Sequence, residues 1–104
     1  MTPGRPLDTL ELADFAGHLG TRFRLRRAEG RALELTLVEA SPHPHLPHSP
    51  GRRRGFSLVF RSPSPERHPQ GVYRLDHDEM GSLELFLVPI GPQEGGMRYE
   101  AVFN

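Results

Sequence analysis

Residues 23 to 38, FRLRRAEGRALELTLV, lie without a gap on residues 73 to 88, YRLDHDEMGSLELFLV, at a constant offset of fifty. Eight of the sixteen positions are identical: Arg24/Arg74, Leu25/Leu75, Glu29/Glu79, Leu33/Leu83, Glu34/Glu84, Leu35/Leu85, Leu37/Leu87 and Val38/Val88. Alternating leucines match in any two strands, but shared strand patterning does not require the turn between them to keep its length, and here it does. Self-similarity at a fixed offset reports repeated architecture. Each copy is also followed by an aromatic stretch, FSLVF over residues 56–60 and YEAVF over residues 99–103, which are matched to each other here. The chain therefore reads as two three-stranded units.

Within each unit the hydrophobic period is two, the signature of a strand with one wet face. Phe23 and Leu25 alternate with arginines, Ala28 to Gly30 make a turn, and Leu33, Leu35 and Leu37 alternate with Glu34 and Thr36. Phe56 to Phe60, Tyr73 to Leu75, Leu83 to Val88 and Met97 to Phe103 supply four more strands, with turns at 77–81 and 91–96. Pro89 is expected to end the fifth strand or hold it at an edge, since proline cannot donate to a ladder. Ahead of the strands, DTLELADFAGHLG carries a helix signal over residues 7–20. Asp8 with Glu11 makes a capping-box-like start, Leu12, Phe15, Ala16 and Leu19 form one apolar stripe, and Gly20 is placed as the C-cap. His18 falls near the C-terminal end, where it would favour the helix dipole.

Two three-stranded sheets, each apolar on one face, bury that face against each other. The expected fold is mainly β: a six-stranded antiparallel barrel or tight sandwich of two pseudo-repeated three-strand units, in one domain spanning residues 1–104. The first unit covers residues 21–61 and the second 71–104. Leu33, Leu35, Leu37, Leu83, Leu85 and Leu87 would line the centre, with the helix over one open end through Leu12, Phe15 and Leu19. Phe86 and Val88 are apolar on the face opposite the leucines. That second apolar face needs a cover, either the helix or another protein chain.

Composition limits the function. Thirteen acidic residues balance thirteen basic ones, all arginine, so no net field draws the chain to nucleic acid or anionic lipid. The absence of cysteine removes disulfides, zinc-thiolate sites and thiol nucleophiles. No apolar run is long enough to span a bilayer, and MTPGRPLDTL has no signal-peptide core, so a cytoplasmic protein without membrane contact is expected.

Residues 41–54, SPHPHLPHSPGRRR, form a proline- and histidine-rich hairpin connection. His43, His45 and His48 have a spacing that could ligate a metal. Alternating prolines favour polyproline II, however, which points His43 away from the other two. The tract holds no carboxylate, and the adjoining arginines repel cations. A surface loop is the simpler reading, and no cofactor is expected. Under the repeat the tract is an expansion of a tip that in the second unit is the short turn GPQEGG. Arg52, Arg53 and Arg54 with Arg61 and Arg67 could make an anion patch, but no aromatic ladder flanks them. Asp76-His77-Asp78-Glu79 sets a histidine among acids at a hairpin end, where aspartates also serve the turn. Ser57 has no nucleophile-elbow pattern around it, and no glycine loop suits a phosphate. Nothing in this pattern points to an enzyme.

The stretches DTLELADFAGHLGTRFRL, RRGFSLVFRSP, PQGVYRL, GSLELFLVPIG and RYEAVFN resemble a family of small stand-alone bacterial domains of unknown function, often encoded near phage-tail-like or tail-collar proteins. The resemblance covers the chain outside residues 41 to 51. It implies an accessory or interaction protein, and it defines no catalytic residues. The leading expectation is a non-enzymatic interaction module that meets a protein partner, or a second copy of itself, through Phe86, Val88 and Ile90. The alternatives are a small-ligand barrel with its site at the end the helix leaves open, and metal binding through the histidine tract.

Overall fold

A computed structural model of the chain describes residues 10–26, 32–42 and 55–103. One short helix, α1 (Leu12–Ala16), precedes six strands: β1 (Arg22–Arg26), β2 (Leu33–Pro42), β3 (Phe56–Ser62), β4 (Gly71–His77), β5 (Gly81–Gln93) and β6 (Gly96–Phe103). They close into an antiparallel barrel in the order β1-β2-β3-β6-β5-β4. Closure decides between the two architectures expected from the sequence, and it leaves no edge strand among these six.

The registers carry the repeat. In β1 and β2, Phe23 pairs with Leu35 and Leu25 with Leu33. In β4 and β5, Tyr73 pairs with Leu85 and Leu75 with Leu83, each partner fifty residues on. The two halves meet through Leu25 and Leu75, which pair with each other, flanked by Arg24 with Asp76 and Arg26 with Arg74. A pseudo-two-fold axis therefore passes through that pair. The third strands are offset differently from the sequence match of FSLVF with YEAVF. Pro42 pairs with Phe56, whereas Pro92, fifty residues on, pairs with Met97, so the counterpart of Phe56 is Met97 and not Tyr99. Each half also carries one bulge, between Leu37 and Glu39 in the first and between Pro89 and Gly91 in the second, two residues later than the offset would place it.

That second bulge also corrects the expectation for Pro89. β5 runs on through Pro89 and Pro92 to Gln93, because the irregular register tolerates a residue without an N–H. The strand then closes on β6 through the two-residue turn Glu94-Gly95. Both residues have positive φ, at 47° and 81°, as a tight primed hairpin turn requires.

The barrel interior is solid. Phe23, Leu25, Leu35, Leu37, Leu58, Phe60, Leu75, Leu83, Leu85 and Leu87 are all at most 2% exposed, and Leu33 is half-buried against them. Eight strands make a barrel just wide enough for side chains to fill, so six leave no room for a ligand between them.

The helix is shorter than its sequence signal. Glu11, not Asp8, is the N-cap, and its N–H donates to Asp14 Oδ2 at 2.7 Å, so the capping box lies one turn later than expected. Residues 7–9 lie outside the described residues. Residues 17–20 leave the helix as a turn, with Gly17 as C-cap and Gly20 in the left-handed region at φ 83°. Hence Leu19 is 47% exposed and takes no part in the core, while Leu10 and Phe15 are buried. Phe15 seals the end of the barrel where β3 starts and β6 finishes, its ring 5.9 Å from Phe56 and 5.5 Å from Phe103. The opposite end is crossed by residues 63–70, clamped by Tyr99, whose hydroxyl accepts from the His68 N–H at 3.0 Å and donates to the Glu66 carbonyl at 3.3 Å.

Candidate interaction surface

The outer faces of the two halves differ. Phe86 on β5 is 52% exposed and pairs across the ladder with Val72, 66% exposed. Fifty residues earlier the same scaffold positions hold Thr36 and Arg22. The fold thus works with polar residues there, and the apolar pair is a property of the second half alone. Val88 is half-buried beside Glu100, and Ile90 at the bulge is 38% exposed, so all three residues expected to mediate interaction lie on one strand. Val102, 45% exposed, stands two residues along β6 from Glu100. The helix does not cover this face, because Phe15 commits it to the barrel end.

At its far end the strip runs into an open groove of about 510 Å³ lined by Pro65, Arg67, Pro89, Ile90, Gly91, Pro92 and Met97. It lies at the end of the barrel opposite the helix. It is a surface feature between the 63–70 connection and β5, not a lumen.

The acidic cluster at the β4–β5 hairpin is dispersed by the pleat. Asp76 points outward at the seam between the halves, where its carboxylate accepts from Arg26 Nε at 2.6 Å, Ser82 Oγ at 2.7 Å and Arg74 Nε at 3.2 Å. Burial pulls its pKa upward, but hydrogen bonds from Arg26, Ser82 and Arg74, with the charge of Arg74, outweigh that and hold it at about 2. Asp78 pairs with Arg24 at 2.9 Å.

His77 points inward, 6% exposed, its ring 4.4 Å from Phe23 and edge-on to His18 at 4.7 Å. Its Nδ1 accepts from the N–H groups of Glu79 and Met80 at 3.0 and 3.1 Å, so the ring proton is on Nε2 and donates to Thr21 Oγ1 at 3.0 Å. Thr21 in turn donates to the His18 carbonyl at 2.6 Å. Burial, then the neighbouring His18, push the His77 pKa below its ordinary value against Glu79 and Asp78. Both of its nitrogens are committed to holding the helix turn against the hairpin. His18 lies beyond the end of α1 at Ala16 and packs as a wall against His77.

Among the described residues no three histidine, aspartate or glutamate side chains converge as a metal site. His43, His45, His48 and Arg52 to Arg54 lie outside the described residues. Of the expected anion patch, Arg61 donates to the carbonyls of Gln93 and Glu94 at 3.2 and 3.0 Å, while Arg67 lines the groove. Ser57 is buried in mid-strand between Ser41 and Val102. Sequence reading missed the groove, since Pro65 with Arg67, Pro89 to Pro92, and Met97 come from three separate segments of the chain. No helix among the described residues is long and apolar enough to cross a membrane.

A family model described as a domain of unknown function, DUF6916, matches residues 10–103. The chain belongs to the DUF6916 family. The match spans both halves of the barrel and the helix, so this DUF6916 domain is the whole described fold. No curated protein and no solved structure matches it.

Proposed function

We propose that this DUF6916 protein is a non-enzymatic interaction module that docks a partner protein on the outer face of its second half. The observation that carries this is the contrast at equivalent positions: Val72 and Phe86 are apolar and exposed where Arg22 and Thr36 stand on the other half. A closed barrel offers no strand edge for β-augmentation, so a partner must pack on side chains. The resemblance to domains encoded near tail-collar proteins makes a component of a phage-tail-like assembly the partner class to test first. Structural or accessory proteins of that kind need a surface and no chemistry, which fits a fold whose inward-facing histidine is spent on packing.

A photo-crosslinking amino acid at position 86, activated in the native host, should give an adduct with one partner protein. The same probe at position 36 should give none. An adduct at twice the chain mass would identify a second copy as the partner. Equal yields from both positions, or no adduct from position 86, would remove the proposal.

A further inference from the structure

We infer that neutral His77 latches the turn joining α1 to β1 onto the end of the barrel, and that a proton taken up by His77 frees this turn while the six strands stay paired. The ring is the hub of a continuous chain of hydrogen bonds. Its Nδ1 accepts from the N–H groups of Glu79 and Met80, its Nε2–H donates to Thr21 Oγ1, and that hydroxyl donates to the His18 carbonyl. Two further bonds tie the turn to β2: the Gly20 N–H donates to the Leu37 carbonyl at 2.8 Å, and the Leu37 N–H to the Thr21 carbonyl at 3.1 Å. A second ring proton has no place in this arrangement. It would sit on Nδ1, aimed at the two N–H groups that donate to that same atom, so two hydrogen bonds would become two donor-to-donor contacts.

The charged and titratable groups around His77 are His18 from the turn, Arg24 from β1, and Asp78 and Glu79 from the hairpin. Asp78 is paired with Arg24 at 2.9 Å. A charged ring in this pocket must move toward water, and its walls are unequal. Phe23, 4.4 Å away on β1, is fully buried in the barrel. His18, 4.7 Å away, belongs to the turn Gly17-His18-Leu19-Gly20, where Leu19 is exposed and a Cβ at either glycine would meet nothing within 4 Å. The thinly packed wall is the one that yields. Since the His18 N–H donates to the Phe15 carbonyl, that wall is continuous with the helix whose Phe15 covers Phe56 and Phe103. What the proton loosens is therefore the cover of the barrel end.

The test is amide hydrogen exchange on the full-length chain between pH 5 and pH 7, read by NMR and corrected for the intrinsic pH dependence of exchange. The opening constant at Gly20 should exceed that of the β3 and β6 amides at every pH. It should also rise as the pH falls below 6.5, by up to about 25-fold from pH 7 to pH 5, the limit for one proton on a group with that ordinary pKa once released. His77→Gln, which takes up no proton, should abolish the rise, and His18→Gln should keep it. In the parent chain alone, a Gly20 opening constant that does not change with pH, or that matches those of the strands, overturns the inference. A rise that survives His77→Gln, or that His18→Gln abolishes, overturns it as well.

Discussion

Asp76 gives the sharpest test of how the two halves are joined. It lies on the strand pair that closes the barrel, with a side chain only 12% exposed and carboxylate oxygens within 3.2 Å of Arg26, Arg74 and Ser82. Holding the carboxyl at about 2 instead of the ordinary 3.8 corresponds to about 2.5 kcal/mol of stabilisation at neutral pH. That figure is a ceiling, because Arg26 and Arg74 are 62% and 46% exposed and water screens them. A net contribution of about 1 kcal/mol is expected. Since the folded pKa lies below the unfolded one, the unfolded chain binds the extra proton between them. The stabilisation is therefore complete above about pH 4 and is lost as the pH falls through about 2. Asp76→Asn keeps the shape and removes the charge. Urea unfolding at pH 7 should show the variant less stable by about 1 kcal/mol, and the two chains should converge near pH 2. A variant equal to the parent at pH 7, or a difference that persists unchanged at pH 2, would refute the assignment of this energy to the Asp76 charge.

Three further outcomes follow from the packing. Nitrogen-detected NMR should find His77 protonated on Nε2 and titrating below 6.5, with the stability it contributes present above that pH and lost below it; a proton on Nδ1 would contradict the two backbone bonds it accepts. Phe15→Ala should cost about 3 to 5 kcal/mol in urea unfolding, whereas Leu19→Ala, exposed beyond the helix end, should change stability by less than about 0.5 kcal/mol. Gly96→Ala should lower the thermal midpoint more than Gly95→Ala does, because a Cβ at Gly96 would stand 2.1 Å from the Ser62 carbonyl oxygen while one at Gly95 meets only its own φ of 81°.

The strand pairing was legible because period two and a fixed offset are local properties that survive in the sequence: Leu25 on Leu75 is where a two-fold repeat must meet itself. The helix was misread at both ends for a physical reason. Asp8 and Glu11 form as good a capping box on paper as Glu11 and Asp14 do in the fold, and only the seating of Phe15 against Phe56 and Phe103 selects the later start. Once residues 17–20 must turn into β1, where the Gly20 N–H meets the Leu37 carbonyl, Leu19 can no longer follow the apolar stripe. The bulge at Ile90 was invisible because nothing but the ladder distinguishes a proline that ends a strand from one that a bulge absorbs. Phe86 and Val88 announced a second apolar face by their position opposite Leu85 and Leu87. The groove did not announce itself, since its walls come from three separate segments.

The central claim is that function lies where the second half departs from the first. Paired substitutions at Phe86→Asp and Thr36→Asp test it most directly, with binding to the crosslinked partner measured by calorimetry. The two positions share one scaffold site fifty residues apart, so any effect of the added charge on the fold should be common to both. Loss of binding by Phe86→Asp of about a hundredfold, with Thr36→Asp unchanged, is the predicted result. Equal affinities for the two variants would contradict it.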